Sequence, residues 1–152
     1  FTEEFQLVAS LEAKEAEKEA AFSRFWFPTE WFAPDAWARV KIDIIYAHEG
    51  VLHIVDIKTG KEYPYHQEQL SLYALAGMLI YPEATKIVSD LWYVDGGLEK
   101  HAEYEHTEKD DIKKAWNAKV APMLADTLFE PIPGNHCTWC AFSKLKGGPC
   151  KY

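Results

Sequence analysis

The sequence predicts an α/β or α+β fold in which helices cover one sheet, and three observations predict it. Two β-rich runs, "ARVKIDIIY" and "VLHIVDIKT", flank "AHEG", the pattern of a hairpin. "HQEQLSLYALAGMLIY" then places Leu70, Ala74, Met78 and Tyr81 at helical spacing, and Pro82 stops it. The order helix, strands, helix, strand, strand, helix brings both periodicities into a chain of 152 residues, 48% of them hydrophobic, which is enough for one core.

Taken in order, residues 2 to about 22 read as an amphipathic helix, with Phe5, Val8, Leu11 and Glu15 on one stripe and Glu and Lys elsewhere. "FSRFWFPTEWFAPDAW" follows; its prolines break helix, and its β-formers predict a strand or extended segment over about residues 25–32. In the hairpin, Val40, Ile42 and Ile44 alternate with Arg39, Lys41 and Asp43. After the helix over residues 66–81, "TKIVSDLWYV" reads as a strand, "DGG" as a turn and "LEKHAEYEH" as a strand with a wet face. "TEKDDIKKAWNAKVAPML" opens on a capping box at Thr107 to Asp110 and runs as a last helix toward Pro122. Without internal repeats, the chain reads as a single domain over residues 1–152 with a cysteine-bearing tail at about 131–152.

Charge and hydropathy exclude two classes. A net charge of −8 is wrong for a protein that coats nucleic acid electrostatically, although residues 137–152 carry Lys144, Lys146 and Lys151 and no acid. No apolar run approaches the roughly 20 residues of a membrane span, and the charged N-terminal stretch is unlike a signal peptide. The expectation is a cytoplasmic protein with no membrane partner; nothing in the sequence speaks to its oligomeric state.

"VDIKTGK" sets charge at the end of an apolar run. If Glu49 and Gly50 form a two-residue turn, cross-strand partners sum to 99, which places Asp43 opposite Asp56. Two facing carboxylates destabilise a sheet unless a cation sits between them, and hard oxygen donors suit Mg²⁺ or Mn²⁺. Lys58 falls on the face of Asp56, whereas Ile57 points away into the core. The plainer alternative makes Asp43 and Asp56 solvated strand-end residues and Lys58 a salt-bridge partner.

"KIDII", "VDIKTGK" and "QLSLYALAG" in this order resemble the core of the PD-(D/E)XK nuclease superfamily, in its RecB-like and Cas4-like branch, over roughly residues 30–77. Phage-encoded members are similar also in the tail "PGNHCTWC". The resemblance implies a restriction-endonuclease-like mixed sheet flanked by helices. It implies that Asp43, Asp56 and the backbone carbonyl of Ile57 ligate the metal, and that Lys58 orients the attacking water. Gln69 and Tyr73, four apart on one helix face, would hold the site together or touch DNA. The family's further His or Glu ligand has four candidates here: Glu30, Glu15, Glu19 or a residue upstream of Phe1. Where the family carries a glycine three residues before the first Asp, this chain has Val40.

Cys137, Cys140 and Cys150, spaced C-x2-C-x9-C, are the only cysteines, an odd number that argues against a disulfide framework. Three readings stand. Similar relatives hold a [4Fe–4S] cluster on four cysteines, which here would need one upstream. His136 or another residue would complete a Zn²⁺ site instead. In the third reading the thiols are reduced and hold no metal.

The leading expectation is therefore a Mg²⁺- or Mn²⁺-dependent deoxyribonuclease, an exonuclease of recombination, repair or DNA processing, with DNA as substrate, a recombination protein as partner, and host cytoplasm as location if phage-encoded. The alternatives are a catalytically silent nucleic-acid-binding or assembly module of the same fold, and a small metalloprotein organised by the cysteines.

Overall fold

The computed structural model describes residues 2–12 and 14–152. In chain order its main elements are α1 (Thr2–Ser10), β1 (Lys14–Ser23), β2 (Pro28–Thr29), β3 (Ala36–His48), β4 (Val51–Lys58), α2 (His66–Ile80), β5 (Lys86–Tyr93), β6 (Leu98–Glu105) and α3 (Lys109–Ala125). The six strands form one mixed sheet in the order β2-β1-β3-β4-β5-β6. Only β4 and β5 run parallel, joined by α2 as a crossover; the other neighbours are antiparallel. This is the α/β architecture expected from the order of elements. Among the described residues no helix is long and apolar enough to cross a membrane.

The two-residue turn at Glu49 and Gly50 holds, both residues taking positive φ (49° and 80°) as a tight hairpin turn requires. The register from His48–Val51 to Ile44–Val55 sums to 99 throughout. Behind it, α2 lays Ala74, Leu75 and Met78 against Ile45, Leu52, Ile54 and Ile87, and on the other face Val8 of α1 packs with Tyr46, Val55 and Trp92.

The long N-terminal helix is corrected. Helix ends at Ser10, and Lys14–Ser23 is a strand paired with β3. The Ala, Glu and Lys of "KEAEKEAAFS" favour helix locally, but the 13-residue β3 would otherwise expose a row of unpaired backbone groups on its outer side. Because β2 covers only Ala21 and Phe22, β1 is for most of its length the edge strand, where charged residues block further pairing. The strand over about residues 25–32 shrinks to Pro28–Thr29 within a loop. The capping box shifts too: the Glu108 carboxylate accepts the Glu105 N–H (2.7 Å) and a short 3₁₀ turn leads into α3, which runs past Pro122.

Side-chain alternation slips once, at Asp43. Counting from Ile45, Ile42 would face α1, yet Ile42 and Val40 join Ile45 in the core beneath α2. The cause lies across the ladder: β1 pairs Ala16 with Ile44 and Lys18 with Ile42, and the skipped Glu17 has φ 55°, left-handed for a non-glycine residue.

Gly77 sets how closely α2 approaches β4: a Cβ there would lie 2.5 Å from Ile54 Cδ1 and 3.3 Å from Leu52 Cδ2. Gly77→Ala is expected to be near neutral, since the end of Ile54 can yield and alanine favours helix. Gly77→Val is expected to destabilise by about 2 kcal/mol, read as a lower thermal midpoint.

The chain divides into two compact units, one up to Lys119 and one from Val120 to Tyr152. Turns order the second unit: Cys150 N–H donates to the Phe142 carbonyl (2.9 Å) and Lys144 N–H to that of Tyr152 (2.8 Å). Gly148 lies so near the Phe142 backbone that a Cβ would sit 2.3 Å from its carbonyl carbon.

Candidate active site

Strand and helix repeats set the geometry. Two residues along a strand and four along a helix both advance about 6–7 Å, so a helix laid antiparallel on a strand can keep step with it. With Gly77 against Ile54, Tyr73 reaches Asp56, and its hydroxyl donates to Asp56 Oδ1 at 2.6 Å. One turn earlier on the helix, Gln69 Nε2 stands 3.5 Å from the Tyr73 hydroxyl. Tyr73 and Gly77 thus run against Asp56 and Ile54.

Asp56 is 6% exposed, an unusual position for a carboxylate. Lys58 Nζ lies 2.6 Å from Asp56 Oδ2, close enough for an ion pair but outside hydrogen-bond geometry, so the buried Oδ2 has no hydrogen-bond partner. Burial first, then the hydrogen bond to Asp56 and the charges of Asp56 and Asp43, push the Tyr73 phenol far above its ordinary pKa. Tyr73 therefore stays protonated and acts as a donor. The Lys41 carbonyl, 3.5 Å from the same hydroxyl, is a peripheral contact.

The β3–β4 ladder stops at Ile44–Val55, one pair short of Asp43 and Asp56. Beyond it, Asp43 Oδ2 accepts the Ile57 N–H at 2.6 Å, a side chain standing in for the missing strand acceptor. One structural expectation fails here: Ile57 does not point into the core but is 38% exposed, because the Val8, Tyr46, Val55, Trp92 cluster under the short α1 ends before it. Asp43, Asp56, Lys58, Tyr73 and Gln69 are thereby gathered at the end of β4.

The model of the PD-(D/E)XK nuclease superfamily matches residues 3–145, nearly the whole chain. The chain belongs to the PD-(D/E)XK nuclease superfamily. Among curated proteins none matches the sequence. A solved structure described as "Crystal structure of SSO0001" aligns at 19% identity over 99% of this chain and 67% of that one, with a TM-score of 0.46, a likeness too distant to bear on function.

For a nuclease of this superfamily the donor set can be tested against a divalent metal. Two carboxylates at one strand end, one carrying a buried oxygen without a hydrogen bond, fit a hard cation. Among the described residues no three of His, Cys, Asp and Glu converge on a common point, so no third acid joins them. Glu30 lies exposed after the outermost strand, Glu15 is held by Lys18 (2.7 Å) and Tyr81, and Glu19 pairs in register with Lys41. A residue upstream of Phe1 lies outside the described residues.

The sequence concealed two neighbours of the site. Glu17 occupies the β1 position across from Asp43, with its carboxylate on Lys41; reading this stretch as helix hid it, and only the register reveals it. Tyr93 is the β5 partner of Lys58, and its hydroxyl lies 2.8 Å from His66 Nδ1 at the start of α2.

The thiols do not form a metal centre as placed. Cys137, Cys140 and Cys150 are free and half-buried, and Cys137 Sγ accepts the Gly134 N–H at 3.4 Å. Among the described residues no three such ligands are grouped, so no [4Fe–4S] or Zn²⁺ site is shown.

Proposed function

We propose that the protein is a metal-dependent deoxyribonuclease whose hydrolytic site is Asp43, Asp56 and Lys58. The observation that carries this reading is the buried Asp56 carboxylate, held on one oxygen by Tyr73 and facing Lys58 Nζ at 2.6 Å on the other. Asp43, Asp56 and the Ile57 carbonyl would hold Mg²⁺ or Mn²⁺, and such an ion supplies Lewis acidity toward the phosphate oxygens. Lys58 orients the attacking water and offsets the negative charge on the phosphate oxygens as the P–O bond to water forms and the P–O bond to the leaving nucleotide breaks. Tyr73 fixes the Asp56 carboxylate, and Gln69 supports Tyr73; both are positioning residues.

The order Asp43, Asp56-Ile57-Lys58, Gln69, Tyr73 supports a place in the RecB-like and Cas4-like branch, and with it end-dependent processing in recombination or repair. Linear and circular DNA, each single- and double-stranded, incubated with Mg²⁺ or Mn²⁺ test this. Degradation of linear DNA, sparing of circles and loss of activity in EDTA are expected. Cleavage of circles would make it an endonuclease. Absence of cleavage on every substrate would favour a silent binding module, in which Asp43 is simply a structural acceptor for Ile57 N–H.

A further inference from the structure

An aromatic surface outside the site is unexplained by the fold. Phe25, Phe27 and Phe32 are 76%, 68% and 90% exposed, although phenylalanine has no polar group that would favour water. Phe25 and Phe27 display this way because Trp26 between them is buried: it takes φ 63°, packs edge-on against Trp37 at 5.1 Å, and donates its indole N–H to Asn117 Oδ1 at 3.0 Å. The turn is closed by Trp26 N–H to the Ser23 carbonyl (2.9 Å) and Ser23 N–H to that of Phe27 (2.8 Å). A bulky residue in left-handed backbone is strained, and here the strain turns both flanking phenylalanines outward.

Charge of both signs collects at the same place, with Glu30 exposed in the loop. The only two arginines of the chain, Arg24 and Arg39, bracket this loop. Arg39 ties it down by donating to the Trp31 carbonyl at 2.6 Å. Arg24, exposed, has no hydrogen-bond or ion-pair partner among the described residues. Asp35, the acid in the recess, is engaged by the Thr29 hydroxyl at 3.0 Å. Arg24, Phe25, Phe27 and Trp37 line a recess of about 440 Å³.

Topology places this loop at the end of the sheet where the site lies. The stretch of β3 before Asp43 projects past the end of the β3–β4 ladder, and the loop precedes Ala36, seven residues or roughly 23 Å of strand from Asp43. We infer that Phe25 and Phe27, with Arg24, form a stacking platform for the bases of single-stranded nucleic acid several nucleotides from the scissile phosphate. Flat faces that stack on any base, next to a cation for the backbone, are what sequence-tolerant single-strand binding uses. This inference rests on the nuclease reading only for what the bound strand is for; the binding is separable from cleavage.

The test is fluorescence anisotropy of a labelled 15-nucleotide oligothymidylate in EDTA, comparing the wild-type chain with the Phe25→Ala/Phe27→Ala variant. Affinity is expected to fall roughly 30-fold or more in the variant and to persist in Phe25→Trp/Phe27→Trp. A fully abasic strand of equal length is expected to bind both proteins with equal, weaker affinity. Equal oligothymidylate affinity in wild type and alanine variant, or an equal loss on the abasic strand, would overturn the platform. So would dissociation of a wild-type dimer by the double substitution, which would make the patch a contact between copies. Phe25→Ala alone provides the same comparison if the double variant fails to fold. Hydrolysis of bis(p-nitrophenyl) phosphate with Mn²⁺ separates the two readings: its absence in both proteins, with oligothymidylate binding lost only in the variant, would count against the nuclease and leave the platform standing.

Discussion

Asp56→Asn lowers DNA hydrolysis by about 10³-fold or more, equivalent to about 4 kcal/mol of transition-state stabilisation, while leaving the protein folded. Asparagine keeps the shape of the side chain and an oxygen for the Tyr73 hydroxyl, which now donates at 2.6 Å to Oδ1. What it removes is the negative charge of the carboxylate whose second oxygen faces Lys58 Nζ at 2.6 Å. Lys58 loses its acid partner, but its side chain is 19% exposed and can turn toward water, so the stability change stays small. Rates on linear DNA with Mn²⁺, alongside thermal midpoints, check both halves. Retained activity would remove Asp56 from the chemistry.

Lys58→Met acts on stability as much as on rate. It leaves Asp56, 6% exposed, with a buried charge and only the Tyr73 hydroxyl to offset it. Breaking a buried pair from one side costs about 3–5 kcal/mol, so the metal-free variant is expected to melt well below wild type. Lys58→Met/Asp56→Asn is expected to recover most of that loss, because the uncompensated charge is gone, yet to stay inactive. Denaturant melts of the three variants in EDTA give the comparison. A single variant as stable as wild type would mean that Asp56 does not depend on Lys58 for its charge compensation.

The hairpin and α2 were legible because their signals are local: alternation in residues 39–44, a two-residue turn at Glu49 and Gly50, and a helix stopped by Pro82. The register arithmetic held to the last pair and then failed to describe Asp43, because the slip there depends on Glu17 in a third strand. β1 was hidden because its composition favours helix, and only the unpaired side of β3 makes it a strand. Ile57 was misread for a similar reason: its burial depends on how far α1 extends, not on strand alternation. The outward phenylalanines were invisible because the sequence shows an aromatic cluster but not that Trp26 turns inward while its neighbours Phe25 and Phe27 stay exposed.

The central claim is that Asp43 and Asp56 form a divalent-metal site, and metal-linked stability tests it most directly. Thermal midpoints of the wild-type chain and of Asp43→Asn/Asp56→Asn are measured against rising Mn²⁺. Wild type is expected to gain stability that grows with the logarithm of concentration above the dissociation constant, about 2.7 kcal/mol at a hundredfold excess over it, and the double variant to gain none. An equal gain in both proteins, or none in wild type, would contradict the account.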